Sequence, residues 1–119
     1  GNTMKALFVL NDPPYGTERS YNGLRLAMAL QKEQPAPEVT VFLMGDAVAC
    51  AKRGQKTPNG YYNLERMVQA VARKGAVLLC GSCMDARGLT EVEIVEGCRR
   101  SSMDELARQS VASDRVLVF

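Results

Sequence analysis

The residues best suited to chemistry in this sequence are two cysteines separated by two small residues. They lie in the stretch AVLLCGSCMDARG, where an arginine follows close behind them. A thiol becomes a nucleophile when it loses its proton, and a nearby positive charge favours that loss. The candidate site therefore comprises Cys80 as the reactive thiol, Cys83 as an auxiliary or resolving thiol, and the neighbours Gly81, Ser82 and Arg87.

From the residues alone, this CxxC pair has four interpretations. A zinc site needs a second pair or histidines, but the chain has no histidine, and its other cysteines, Cys50 and Cys98, are single and distant. We therefore predict no metal site. A dithiol redox motif places its first cysteine after a strand, at the start of a helix. The pattern fits that description, without the aromatic neighbour and the proline that are common in such motifs.

The other two interpretations differ in whether the thiols react at all. Free cysteine is among the most buried residue types, so both thiols can simply pack in the core. Alternatively, the Cys80 thiolate attacks sulfane sulfur and holds it as a persulfide, a reaction that needs no histidine. The missing histidine does exclude Cys-His and Ser-His catalysis within the chain.

Two further clusters are weaker candidates for ligand binding. Tyr15 and Gly16 precede the first predicted helix, where free backbone N–H groups can bind an anion. The segment lacks a glycine fingerprint, so an ordinary helix cap explains it better than an anion site does. Arg53 lies with Lys52 and Lys56 in a basic loop that suits an anionic ligand or partner, or is merely solvated surface.

The composition is that of an ordinary globular protein. The chain has 119 residues, 46% of them hydrophobic, and a net charge of +2. This predicts one domain over residues 1–119, and the small charge favours neither nucleic acid nor a membrane surface as a partner. We see no export signal and no cofactor motif, so we expect reduced thiols in a cytoplasmic protein. Residues 1–3, which precede a methionine, read as a partial cloning remnant.

Apolar runs predict five strands, at residues 5–10, 39–44, 77–80, 98–101 and 115–119. We expect the fourth to be a short edge strand and the last to be buried. Helical periodicity and capping residues predict three longer helices. The first is capped at Thr17 or Ser20 and runs to about Gln34, the second runs from Asn63 to a glycine cap at Gly75, and the third begins at Ser102.

Shorter turns are expected around residues 47–50 and after Cys80, and a capping box at Thr90 and Glu93 opens an otherwise ambiguous segment. Alternating strands and helices imply right-handed crossovers and a mostly parallel sheet with helices on both faces. The predicted fold class is therefore α/β, with a mostly parallel five-stranded sheet.

Several segments in order resemble the DsrE/DsrF-like family of small sulfur-relay proteins, and within it the YchN-like branch. They are PYGTERSYNGLRLAMAL, VFLMGDAV, RGQKTPNGYYN, LCGSCMDARG and SDRVLVF. The resemblance implies a three-layer α/β/α domain that assembles as trimers paired into hexamers, and it implies sulfur donor and acceptor proteins as partners. It also implies that the cysteine after the third strand, here Cys80 with Arg87 and Gly88 downstream, accepts and passes sulfur as a persulfide.

The second thiol departs from the relay pattern, because apolar residues usually follow the reactive cysteine there. Cys83 matches only the YchN-like branch, and it can resolve a Cys80 persulfide into a disulfide. Three functions therefore stay open: a sulfur carrier, a dithiol redox protein, and a non-catalytic oligomeric module that binds a ligand or partner.

Overall fold

The computed structural model describes residues 3–119, so Gly1 and Asn2 of the expected cloning remnant lie outside the described part. The strands and helices follow one another in the order β1 Lys5–Leu10, α1 Arg19–Leu30, β2 Glu38–Leu43, α2 Leu64–Lys74, β3 Ala76–Cys80, α3 Gly81–Ala86, β4 Cys98–Ser101, α4 Met103–Ala112 and β5 Arg115–Val118. Short 3-10 turns at Gly45–Ala51, Pro58–Gly60 and Glu91–Glu93 fill the connections.

The five strands form one sheet in the order β4-β3-β2-β1-β5, and every neighbouring pair is parallel. The α/β prediction is confirmed, and the sheet is wholly parallel. All five carboxyl ends consequently lie at one edge of the sheet, where reactive groups gather in such folds.

The direction of the chain explains which helices cover which face. From β1 to β4 the strands step across the sheet in one direction, so right-handed crossovers place α1 and α2 on the same face. The connection from β4 to β5 runs in the opposite direction, which puts α4 on the other face. The core on the α4 side is the smaller one, consisting of Leu7, Val9, Phe42, Leu78, Cys80 and Leu106.

The bounds of α1 differ from the prediction. Glu18 occupies the N-cap position, and the hydroxyl of Thr17, one residue before it, accepts a hydrogen bond from the Arg19 backbone N–H at 3.2 Å, so Thr17 does take part in capping the helix. Ser20 does not, because it lies inside the helix and donates its hydroxyl to the Asp12 carbonyl oxygen at 2.7 Å. The helix ends at Leu30 rather than near Gln34. The backbone N–H groups of Lys32 and Glu33 bond to the carbonyl oxygens three residues earlier, which is the tighter 3-10 pattern.

The prediction that the last strand is buried was wrong. β5 is an edge strand, and Val116 and Val118, which pair with Leu7 and Val9, lie on the α4 face. α4 does not cover them, so the Val118 residue is 63% exposed. Only Leu117 and the following Phe119 pack against the larger core.

The second helix matches its prediction at both ends. The Asn63 side chain accepts a hydrogen bond from the Arg66 backbone N–H at 3.2 Å and so caps α2. Gly75 is the residue after the helix, but its φ of −144° is not left-handed. Glycine is required there by close packing, because a Cβ would lie 2.3 Å from the Val39 carbonyl oxygen.

Leu106 is the buried residue of α4, and its truncation should weaken the attachment of this helix to the sheet. We expect Leu106→Ala to lower the free energy of unfolding by about 2–4 kcal/mol, since it leaves a cavity against Phe42 and Leu78. Val111→Ala on the same helix removes a side chain that is 89% exposed, and should change stability by no more than about 0.5 kcal/mol. Urea unfolding of both variants checks the pair, and equal losses would contradict it.

Candidate functional site

The third strand holds Cys80 at the carboxyl edge of the sheet. β3 is paired on both sides, with β2 and with β4, and Cys80 lies opposite Ser101 as its last residue. The alternation of the strand places Cys80 with Leu78 on the α4 face. Cys80 is only 5% exposed, while the next but one residue, Ser82, is exposed. The thiol therefore lies at the end of a rigid strand, just below the protein surface.

The turn after β3 surrounds the Cys80 thiol with hydrogen-bond donors. Its Sγ lies 3.4 Å from the Ser82 hydroxyl oxygen. Burial raises the pKa of Cys80, but hydrogen bonds from the Ser82 hydroxyl, the Cys83 thiol and the backbone N–H groups of Cys83 and Ser82 outweigh it, so the pKa is lowered. A thiolate is thus favoured at this position without any histidine.

Cys83 has the opposite electrostatic character. Burial raises its pKa first, and its hydrogen bond to the Cys80 thiolate and the charge of that thiolate raise it further. A backbone hydrogen bond at Gly45 and the charge of Arg87 lower it only in part. Of the two thiols, Cys80 is therefore the one that ionises more readily.

Arg87 lies immediately after α3 and acts on the Cys83 side of the pair. Its Nε donates to the Asp46 carboxylate at 2.9 Å, and its Nη1 donates to the Cys83 carbonyl oxygen at 3.0 Å. These contacts join the turn after β3 to the turn after β2. Asp46 and Gly45, which the sequence analysis had not included, thereby border the site.

A second arginine, which sequence reasoning also missed, lies over Gly81, the residue that follows the thiol. Arg100 of β4 pairs with Leu79 in the sheet register and forms two hydrogen bonds of 2.8 Å to the Asp85 carboxylate of α3. Its guanidinium covers Gly81, where a Cβ would lie only 2.8 Å from the guanidinium carbon. The sequence did hold a clue to Arg100, because the predicted fourth strand contains it. If that strand pairs with β3 in parallel, its charged residues lie near the carboxyl edge where β3 ends.

The remaining thiols are held in the core in their neutral form. All four cysteines are free in the structure. Burial raises the pKa of Cys50 to about 12 and that of Cys98 to about 11. Among residues 3–119 no three histidine, cysteine or acidic side chains stand close enough to hold a metal ion.

Tyr15 and Gly16 lie apart from the thiols, in a cleft of about 690 Å³ that follows β1. All four tyrosines of the chain border this cleft, namely Tyr15, Tyr21, Tyr61 and Tyr62. The Tyr15 hydroxyl donates to the Gln55 side-chain oxygen and accepts from the Leu64 backbone N–H. Its polar group is thus already partnered, and a ligand here would meet mainly aromatic surface. The ligand-binding role of Tyr15 and Gly16 stays a prediction.

Arg53 is held by the turn at Glu91–Glu93. Its guanidinium donates to the Val92 carbonyl oxygen, and its backbone N–H donates to the Glu93 carbonyl oxygen at 2.8 Å. The Thr90 and Glu93 capping box predicted from sequence is present in that turn. Arg53 therefore has an intramolecular partner, and its contact with an anionic ligand stays a prediction.

The wholly parallel five-stranded sheet and the paired thiols at the end of its third strand define a small α/β protein with a cysteine-based site. The chain belongs to the DsrE/DsrF-like family, whose profile matches residues 4–119. The resemblance found in the sequence is thereby confirmed.

The chain is similar to known proteins over nearly its whole length. It is 38% identical to protein YchN of Escherichia coli over 97% of this chain and 98% of that protein. An uncharacterized protein of Methanocaldococcus jannaschii is 34% identical over 98% of this chain and 100% of its own length. The crystal structure of the Escherichia coli YchN protein superposes with a TM-score of 0.92 at 36% identity, covering 98% of this chain and 100% of that one.

A more distant structure shares the fold alone. A protein of unknown function from Methanobacterium thermoautotrophicum superposes with a TM-score of 0.73 at 13% identity, covering 96% of this chain and 97% of that one. Within residues 3–119, no helix has both the length and the apolar character needed to cross a membrane.

The pH dependence of alkylation tests the hydrogen bonds to Cys80. Because only the thiolate reacts and its pKa is lowered, the rate at Cys80 should rise and level off at lower pH than for an ordinary thiol. Ser82→Ala removes a donor to the thiolate, so the profile should move to higher pH. Ser113→Ala removes a hydroxyl bonded to the Gln109 carbonyl and serves as the control. Peptide mass spectrometry measures each rate, and an unchanged Ser82→Ala profile would contradict the assignment.

Proposed function

We propose that this protein is a cytoplasmic sulfur carrier that holds sulfane sulfur as a persulfide on Cys80. The observation that carries the proposal is the position of Cys80 at the carboxyl end of β3, with the Ser82 hydroxyl 3.4 Å from its Sγ and a second thiol, Cys83, in the same turn. Hydrogen bonding in this turn lowers the pKa of Cys80, whereas burial raises that of Cys83. Membership of a family of sulfur-relay proteins supports the same chemistry.

The transfer step needs no cofactor and no oxidant. The Cys80 thiolate attacks the outer sulfur of a donor persulfide, a bond forms between the two sulfurs, and the S–S bond of the donor breaks. The donor leaves as a thiolate with the electron pair of that bond. Cys80 then carries one extra sulfur, and the Ser82 hydroxyl and nearby backbone N–H groups are placed to stabilise its negative charge.

Cys83 determines what happens to the carried sulfur. If Cys83 loses its proton it can attack the Cys80 Sγ, which forms a Cys80–Cys83 disulfide and releases hydrosulfide. The raised pKa of Cys83 slows this reaction, because the thiol must ionise first. A dithiol redox protein is the second candidate function, and the presence of both free thiols in one short turn after β3 favours it.

Persulfide labelling tests the carrier function. Brief treatment of the reduced protein with glutathione persulfide should add the mass of one sulfur atom to Cys80. Cys80→Ser should show no adduct, and Cys83→Ser should keep the adduct longer because the resolving thiol is gone. Cys98→Ser is the control, since burial raises the pKa of that thiol to about 11.

Intact and peptide mass spectrometry distinguishes the candidates. An adduct on Cys80 supports the carrier. Rapid formation of a Cys80–Cys83 disulfide without a detectable adduct favours the dithiol redox protein. If neither the Cys80 adduct nor the disulfide forms, both sulfur-based functions are contradicted and the oligomeric binding module is favoured.

We further propose that the protein forms the trimers and hexamers expected of its family. The support is an apolar surface that the chain leaves uncovered around β5, where Val116 and Val118 are exposed on an edge strand. A lone edge strand of this kind is an adhesive surface unless another chain covers it. Burying these valines against a second copy would remove that hazard.

A charge placed on the edge strand tests the assembly. Val118→Lys should shift the protein from an oligomer towards the monomer, because the ammonium group would be buried without a partner. Val92→Lys is the matched control, since Val92 is also largely exposed, at 76% against 63% for Val118, but lies on the turn at Glu91–Glu93. Light scattering coupled to size exclusion measures both. A monomeric wild-type protein, or a Val118→Lys oligomer identical to wild type, would refute the interface.

A further inference from the structure

Arg100 and Asp85 close the outer side of the Cys80 site. The arginine extends from β4, one register position before the residue opposite Cys80, and reaches over the turn to α3. Both of its terminal nitrogens bind the Asp85 carboxylate, at 2.8 Å each. The guanidinium plane therefore lies across Gly81, the residue directly after the reactive thiol.

Gly81 lets the arginine come this close. A Cβ at this position would lie 2.8 Å from the guanidinium carbon and Nε and 3.0 Å from one terminal nitrogen. Any other residue would push the guanidinium away from the turn after β3. Asp85 is the main cause of a raised pKa at Arg100, and the Cys80 thiolate makes the last of the smaller contributions. The direct contact of the guanidinium at this site is with Gly81, the residue after the thiol.

The ion pair is open to exchange. The Arg100 side chain is 41% exposed and that of Asp85 is 65% exposed. Exposed ion pairs contribute little to stability, so another anion can replace the carboxylate at small cost. A guanidinium fork matches oxyanions in the same two-point geometry that it uses for Asp85.

We propose that Arg100 is the anion-binding residue of the Cys80 site, and that an anionic sulfur compound exchanges with Asp85 to reach the thiol. This inference rests on the proposed function and names the class of donor: a small anion whose transferable sulfur is attached to a negatively charged group. Thiosulfate is the simplest example. The Cys80 thiolate attacks its outer sulfur, a new S–S bond forms, and sulfite leaves with the electron pair of the broken S–S bond.

Arg87 is less suited to this role. Its guanidinium is committed to two different partners, the Asp46 carboxylate and the Cys83 carbonyl oxygen, and its charge acts on Cys83. Arg99, the neighbour of Arg100 on β4, binds the Glu105 carboxylate of α4 through both of its terminal nitrogens. Arg99 therefore provides a comparison: an arginine on the same strand and in the same kind of ion pair, which lies on the α4 face with Leu78 and Cys80 but is held by α4 rather than over the turn after β3.

A pair of alkylating reagents that differ only in charge measures the role of Arg100. The rates of Cys80 with anionic iodoacetate and with neutral iodoacetamide are compared, and their ratio cancels any change in the thiolate population. We expect Arg100→Gln to lower the ratio about three- to tenfold, the effect of one charge a few ångströms away in a solvated site. Asp85→Asn frees the arginine and should raise the ratio, a gain that partial unfolding cannot imitate.

Two further variants show whether the effect comes from the charge of Arg100 near the thiol or from a general disturbance of the structure. Gly81→Ala keeps every charge but displaces the guanidinium, so it should lower the ratio as Arg100→Gln does. Arg99→Gln should leave it unchanged. The effect of Arg100 should also shrink in 1 M salt, where charges are screened within about 3 Å. An unchanged ratio in Arg100→Gln, or an equal fall in Arg99→Gln, overturns the proposal.

Thiosulfate and glutathione persulfide then serve as two anionic sulfur donors. Slower persulfide formation on Cys80 in Arg100→Gln, but not in Arg99→Gln, supports the proposal and identifies which donor uses the arginine. If Arg100→Gln forms the persulfide as fast as the wild-type protein with both donors, the proposal is overturned. If neither donor labels the wild-type protein, the carrier function fails, whereas the alkylation ratio still decides whether Arg100 binds anions.

Discussion

The proposed chemistry of this protein depends on the pairing of β3 on both of its sides. Because β2 and β4 pair with the strand in a fully parallel register, Cys80 is fixed at the carboxyl edge of the sheet. The chain turns immediately after it into α3. The backbone N–H groups and the hydroxyl that lower the pKa of the thiol all belong to that turn. The proposed nucleophile is therefore positioned by a strand that is paired on both sides, and its hydrogen-bond partners follow directly in sequence.

Four cysteines of one chain show how strongly the surroundings control a thiol. Burial raises the pKa of the fully buried Cys50 to about 12 and that of the half-buried Cys98 to about 11. The Cys80 side chain is also largely covered, yet hydrogen-bond donors outweigh burial there and lower its pKa. Cys83 supplies one of those donors and is itself shifted upwards. Hydrogen bonding together with the depth of burial therefore distinguishes Cys80 from the other three thiols.

The sequence pattern within a segment was enough to predict those strands and helix ends that are determined by their own residues. The apolar runs of β1 and β3, the Asn63 cap of α2 and the capping box at Thr90 and Glu93 are all present. The prediction failed where the answer depended on the order of the strands. The run at residues 115–119 looks like any buried strand, and only its place at the edge beside β1 explains why Val118 is exposed.

The same limit explains what was missed at the site. Arg87 is close to the thiols in sequence and was found. Arg100 is close only through the pairing of β4 with β3, so no spacing rule pointed to it. Its role depends further on Gly81, which reads as a simple turn residue until its neighbour across the sheet is known. Tertiary contacts therefore supplied the second charge of the site, whereas the sequence supplied the thiols.

The strand order also bears on where the two candidate sites lie along the carboxyl edge of the sheet. The connections after β1, β2 and β3 leave on the face of α1 and α2, whereas the connection after β4 leaves on the α4 face, so the direction of the chain reverses at β3 and β4. Crevices that hold ligands form at such reversals in parallel sheets. Cys80 ends β3 and therefore lies at this point, whereas the tyrosine-lined cleft follows β1, away from it. The position of the thiols thus agrees with the general rule for sites in such sheets, and the cleft after β1 does not depend on it.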